Sequence, residues 1–373
     1  AKLAALTASG LRSCHEATTA EEALERLRLG LWTPLRYSSV RPDLPDLLRL
    51  LTEKGADTRR VLLTTDGPAP DVVAERGYLD GLLRLLVEAG VPPVSAIQLA
   101  TINAATYLKL DDHLGGIAPG RLADLMLLED LESFRPSLVI SGGAITARDG
   151  QLAGAPPRVD WSGLGLLGLE TGFGGGDWIS APALHDARNA EDAPVIEFVS
   201  DVITRAGEPP EPFTVLPEGY LHAAHLDRYG EWVVRALVGG FAKDLDGLAT
   251  TATSSGHLLV LGRDPEAMSL AARRVRELGG GAVIVRAGEV VWEAALPLAG
   301  VMSGGGFSEA VRYAAGLKSR LKDAGCPFAD PLYSLLFLTA DFLPGPRLVS
   351  LGVLDVASGK LLSGAEPVEA TAG

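Results

Sequence analysis

Two short stretches carry residues able to do acid–base or metal chemistry. One is Arg60-Val-Leu-Leu-Thr-Thr-Asp66-Gly-Pro, an apolar run that stops abruptly in polar and turn residues. It reads as a buried parallel strand with Asp66 at its carboxyl end. In α/β barrels and open α/β sheets, the loops at that end carry the chemistry. A carboxylate delivered there serves as a metal ligand, a general base or the N-cap of the next helix. The other stretch is Ser13-Cys14-His15-Glu16, a second polar tip. If both strands belong to one barrel with a single βα unit between them, His15 and Asp66 share a rim. An imidazole and a carboxylate converging there suit a divalent ion such as zinc, iron or manganese, which would acidify a bound water. A catalytic ion normally takes three or more protein ligands, so these two do not complete a site.

Other residues are weaker candidates. Glu16, and Arg36 near the end of the middle strand, could each contact a substrate, and Arg36 could instead pair with a carboxylate. Cys14 is either a soft ligand or a small buried residue. His222 and His225, three apart, would share one face if they lay on a helix. Gly279-Gly-Gly281 follows a helix and reads as its terminator, not as a phosphate loop. Gly304-Gly-Gly306 reads as a flexible turn before a helix beginning near Ser308.

The elements that must position these residues alternate up to about residue 110. A first helix ends near Gly10. Thr19-Ala-Glu-Glu22 forms a capping box that opens a helix running to about Leu29, stopped by Gly30. Leu31 to Tyr37 reads as a strand, with Pro34 costing a ladder bond unless it lies at a bulge or sheet end. Asp43 to Lys54 reads as a helix with Pro45 in its first turn, and the Asp66 strand follows. Tyr78 to Ala89 is amphipathic, with Leu79, Leu82, Leu83 and Leu86 on one face. Ser95 to Leu110 is helical with a break near Asn103. Strands separated by such helices imply βαβ units in a parallel sheet. From Gly115 to about residue 148 the pattern turns β-rich, and a glycine-rich linker runs from Pro156-Pro157 through Gly176. Beyond about 190, strands are expected at 213–217, 256–262, 282–286 and 289–293. A helix capped by Asp264 starts at Pro265, and a hairpin lies at 286–289.

Composition narrows the class. The chain has 373 residues and a formal charge of -14 with no polybasic run. That argues against nucleic-acid and anionic-membrane partners, which need clustered Lys and Arg. No apolar stretch approaches the ~18 residues of a membrane span. Cys14 and Cys326 suggest no disulfide framework, and a cytoplasmic location is expected.

Several segments together resemble the bacterial adenine deaminases of the amidohydrolase superfamily. They are Ser13 to Gly30, Leu63-Thr-Thr-Asp66, Ala96 to Ala105 and Gly116-Ile-Ala-Pro-Gly-Arg-Leu-Ala-Asp124. The likeness continues through Gly279 to Val285, Leu296 to Ser303 and Gly325-Cys-Pro-Phe-Ala-Asp330-Pro. The resemblance implies an α/β chain in three parts. Residues 1–114 would be the C-terminal part of a (β/α)8 amidohydrolase barrel, 115–160 a small β-rich composite domain, and 161–373 an α+β C-terminal domain. His15 would match the metal-ligand histidine after the sixth barrel strand. Asp66 would match the aspartate after the eighth, which binds metal and moves protons. One or two divalent ions are implied, manganese or iron, with zinc as an alternative.

The implied reaction is hydrolytic deamination of adenine or a related aminopurine to hypoxanthine and ammonia, with Glu16 and Arg36 at the substrate. A homo-oligomer acting on a small-molecule purine is expected. The alternatives are a cyclic-amide hydrolase on the same scaffold and a non-catalytic purine-binding homologue. The family's His-x-His and further His and Glu ligands have no counterpart here and are expected upstream of Ala1. This stretch alone is therefore expected to be inactive. The sequence also departs from the family at Cys14, Gly67, Pro68-Ala-Pro70, Tyr78 and Ser254-Ser-Gly-His257-Leu.

Overall fold

The computed structural model describes residues 1–156, 159–161, 194–208 and 216–368. The chain divides into two compact units, Ala1–Val159 and Asp160–Gly373.

In the first unit, α1 spans Lys2–Ala8 and α2 spans Ala20–Arg28. Thr19 caps α2 by accepting the Glu22 amide at 3.2 Å. The Glu22 carboxylate reaches back to the Thr18 amide at 2.9 Å, one residue beyond the expected partner. Strand β1 (Thr33–Arg36) pairs in parallel with β2 (Val61–Thr64), placing Arg36 opposite Thr64. Tyr37 donates its amide to Thr64. Strand alternation therefore turns the amide position of Pro34 away from β2, so its missing N–H costs no bond to that strand.

The crossover between the strands is helical but not continuous. It consists of α3 (Leu44–Leu47) and α4 (Arg49–Thr52). Leu48 keeps right-handed helical angles between them, so one tightened turn replaces the single helix expected. After β2 come α5 (Pro70–Arg76), α6 (Leu79–Glu88), α7 (Pro93–Ala100) and α8 (Ile102–Leu108). The break between α7 and α8 falls at Thr101. Asn103 fixes it by donating to the carbonyls of Thr58 at 2.7 Å and Val61 at 2.9 Å, at the entry to β2.

The apolar faces of these elements form one core, including Ala20, Leu35, Leu47, Leu50, Val61, Leu82, Leu86 and Leu99. Gly115, with φ of 84°, lies where a Cβ would meet Ala105 Cβ at 2.7 Å and Ile102 Cα at 2.9 Å. The chain leaves α8 there through a gap that only glycine fits. An antiparallel sheet follows, in the order β3 (Leu125–Leu128), β4 (Pro136–Ser141), β5 (Ala144–Arg148) and β6 (Gln151–Leu152).

The second unit is built on a nine-stranded sheet. Its strands are β7 (Val195–Phe198), β8 (Thr204–Gly207), β9 (Tyr220–Leu226), β10 (Trp232–Gly239), β11 (Gly247–Thr250) and β12 (Leu258–Gly262). Helix α9 (Pro265–Glu277) then precedes β13 (Gly281–Arg286) and β14 (Glu289–Ala295). As expected, Asp264 caps α9 and β13–β14 is a hairpin, with a bulge at Ile284/Val285. Gly247 lets α9 lie close, because a Cβ there would meet the Ala267 backbone at 2.4 Å.

Helices α10 (Phe307–Asp323) and α11 (Pro331–Leu338) follow. Residues of both, such as Leu317, Leu321, Leu335 and Leu338, join a core that is separate from the one beneath α9. A three-stranded sheet of β15 (Pro346–Val349), β16 (Gly352–Asp355) and β17 (Lys360–Gly364) ends the unit. The short β18 (Glu366–Pro367) returns to pair with β10. The linker read from Pro156 through Gly176 lies mostly outside the described residues, as does most of the strand expected at 213–217. No helix of the described residues is long and apolar enough to cross a membrane.

One expectation is overturned here. His222 and His225 lie on β9, not on a helix, and three-residue spacing on a strand sends side chains to opposite faces. Ala223 packs in one core and Ala224 in the other, so the two histidines cannot share an ion.

His225 is fully buried, with Nε2 at 3.0 Å from Ser255 Oγ and its ring edge-on to Trp232. Burial, reinforced by neighbouring His257, pushes its pKa down to about 3. The folded form therefore holds His225 neutral, while the unfolded chain protonates it near the ordinary histidine value. Its contribution to stability is complete above about pH 6.5 and is lost as pH falls from there towards 3. Denaturant titrations followed by tryptophan fluorescence should show the second unit losing about 2 kcal/mol between pH 7 and 5 from this group. His225→Gln should flatten that slope.

Candidate active site at the tips of three parallel segments

Residues 12–14 run alongside the start of β1. Trp32 donates its amide to the Arg12 carbonyl at 2.9 Å, and Cys14 donates to the Trp32 carbonyl at 3.1 Å. Ser13 and Trp32 form a parallel bridge, and β1 pairs on its other side with β2. Three parallel segments thus end side by side, delivering His15 and Glu16, then Arg36, then Asp66. All four candidates read from the sequence meet at this rim.

His15 is half exposed. Its Nε2 lies 3.1 Å from Glu16 Oε1 and 3.9 Å from Asp66 Oδ1. Asp66 turns sharply off β2, with left-handed φ of 50°, a region that Asp tolerates better than most residues. Its amide donates to Thr64 Oγ1 at 3.2 Å, which steadies the turn. The N-cap reading of Asp66 fails, because α5 begins at Pro70 with Ala69 at its cap and no side-chain cap bond.

Arg36 sits beneath these groups, only 2% exposed. One guanidinium nitrogen, Nη1, lies 3.1 Å from Asp66 Oδ2 and 3.3 Å from Glu16 Oε2. The other, Nη2, lies 3.2 Å from Asp43 Oδ2. Burial alone would lower its pKa, but the charges of Glu16 and Asp66 and the bonds to Asp66 and Asp43 outweigh it and raise the value. Arg36 is a permanent cation at the floor of the rim.

Two further residues belong to the cluster and escaped the sequence reading. Arg41 Nε lies 3.3 Å from Asp43 Oδ2, and its Nη1 lies 3.9 Å from Glu16. Asp43 holds the N-cap position of α3 yet makes no side-chain cap bond. Its carboxylate is committed to arginines instead. An acidic residue two before a proline looks like an ordinary helix start, and only the fold shows otherwise. Cys14 is partly buried, and Arg26 Nε lies 3.3 Å from its sulfur.

The model of the amidohydrolase family matches residues 6–146, and that of the adenine deaminase C-terminal domain matches residues 210–360. YerA of Bacillus subtilis (strain 168) is 34% identical over 351 residues, 92% of this chain and 58% of its own length. An adenine deaminase of Clostridium botulinum (strain Loch Maree / Type A3) is 32% identical, over 93% of this chain and 60% of its own. One from Cenarchaeum symbiosum (strain A) is 33% identical over 95% and 59%. The chain thus spans about three-fifths of the length of these curated relatives.

Amidohydrolases generally use a divalent metal. His15 Nε2 and Asp66 Oδ1 face each other at 3.9 Å, and an imidazole and a carboxylate are ligand types that a divalent ion takes. The pair fits as two ligands of suitable chemistry. Among the described residues, however, no group of three or more His, Cys, Asp and Glu comes together to hold an ion.

The cluster makes a graded prediction. Asp43→Ala strips a carboxylate from the enclosed Arg36 and should cost about 2 kcal/mol in urea denaturation. Arg41→Ala removes a more exposed partner and should cost under about 0.5 kcal/mol in the same measurement.

Proposed function

We propose that the protein deaminates adenine or a related aminopurine by hydrolysis, because residues 6–146 match the amidohydrolase family model and residues 210–360 match that of the adenine deaminase C-terminal domain. The observation that carries this reading is the approach of His15 and Asp66 at one rim, with Asp66 held from behind by Arg36. On this reading, residues 1–114 are the last strands of a (β/α)8 barrel, 115–160 are its small β domain, and 161–373 are the C-terminal domain. A small-molecule purine is the substrate, and the working form is a homo-oligomer in the cytoplasm.

His15 and Asp66 would hold the divalent ion, manganese or iron by preference and zinc as the alternative, one or two per chain. When bound, it would supply a water made acidic enough to be deprotonated at neutral pH. Asp66 accepts the proton of the attacking water through Oδ1, the oxygen facing His15. The water oxygen attacks the ring carbon that bears the amine. Asp66 then returns the proton to the departing nitrogen, the carbon–nitrogen bond breaks, and ammonia leaves. Glu16, more than half exposed, would accept a hydrogen bond from a purine N–H.

The test is ammonia release from a panel of aminopurines by the full-length protein, run beside ring-opening of cyclic amides. Release from adenine is expected. Ring-opening in its place, or purine binding without turnover, would replace this reading. Asp66→Asn should lower turnover about 10³-fold, roughly 4 kcal/mol of barrier. The 373-residue chain by itself should release no ammonia, because its described residues bring only two ligands together.

A further inference from the structure

We infer that Arg36 is a positioning residue for Asp66 and does not contact the substrate, a role that deepens the deaminase reading and rests on it. The geometry carries the inference. Arg36 is 2% exposed, and its terminal nitrogens are directed at Asp66, Glu16 and Asp43. A purine at the rim would find those nitrogens already engaged and screened from it.

The bond pattern is also selective for one oxygen. Arg36 Nη1 takes Asp66 Oδ2 at 3.1 Å, while His15 Nε2 faces Oδ1. The carboxylate is thereby fixed in rotation, with Oδ1 the oxygen turned towards the histidine. Asp66 stands on a left-handed turn followed by Gly67, also at positive φ, and Arg36 adds a hold on its side chain to the one that Thr64 Oγ1 gives its amide. Arg36 is itself anchored, since β1 is paired at Arg36↔Thr64 and Asp43 ties its second nitrogen to the start of α3. One buried cation therefore transmits the position of the βαβ unit to the proton-carrying oxygen. A lysine could supply the charge but not the two divergent donors.

The experiment uses the full-length protein with Arg36→Ala, Arg36→Lys, Asp66→Asn and the double variant Arg36→Ala/Asp66→Asn. A misplaced proton carrier should lower kcat about 100-fold with KM changed by less than about threefold. Added guanidinium should recover about tenfold of the Arg36→Ala loss by refilling the vacated space, and Arg36→Lys should fall between the two. The unfolding equilibrium gives a readout independent of turnover. The Arg36→Ala effect on it should shrink about tenfold when Asp66 is already Asn. A KM raised more than about tenfold with kcat kept would make Arg36 a substrate contact and overturn the inference. Additive effects of the two substitutions on unfolding would overturn it as well. If the intact wild type deaminates no purine while the coupling persists, the deaminase reading falls and the hold of Arg36 on Asp66 stands.

Discussion

A guanidinium taken out of water needs partners, and the first unit is arranged to give Arg36 three of them. Asp66, Glu16 and Asp43 come from three separate places in the chain, and each bonds the same buried group. Removing a partner from a buried charge is far costlier than removing an exposed ion pair, because the remaining charge stays desolvated. The cluster therefore fixes the register of the 12–16 segment, β1 and β2 relative to one another. The same constraint leaves His15 and Asp66 facing each other at the rim.

The second unit solves the opposite problem. There a basic group is kept without charge: His225 is enclosed between Ser255, Trp232 and His257. His257, pushed below its ordinary value chiefly by burial, lies 3.1 Å from Asp227, which opposes that shift. Arg347 is likewise enclosed, and burial lowers its pKa to about 10. It donates to the carbonyls of Phe337, Val202 and Pro344, joining the loop before β15 to the end of α11 and the loop before β8. Polar groups there serve the packing of a large sheet. In the first unit they serve a rim that is open to solvent.

Much of this was legible in the sequence, because local signals and local structure agree. The Thr19 cap, the Gly30 stop, the leucine face of α6 and the Asp264 cap each depend on residues a few positions apart. The apolar run ending at Asp66 was a sufficient mark of a strand tip. His222 and His225 misled because three-residue spacing means one face on a helix and opposite faces on a strand. Nothing local to Tyr220–Leu226 separates those periods, since almost every position in it is buried.

The sequence by itself determined most of the elements and the polar tips that carry His15 and Asp66, since these depend on residue types and short spacings. Only the tertiary structure decided that Arg36 is enclosed and that Asp43 abandons its helix cap for it. It also decided that Asp66 presents one oxygen to His15 and the other to an arginine. Those facts depend on which charges lose their water together, and burial is a property of chain segments brought together by folding from distant positions.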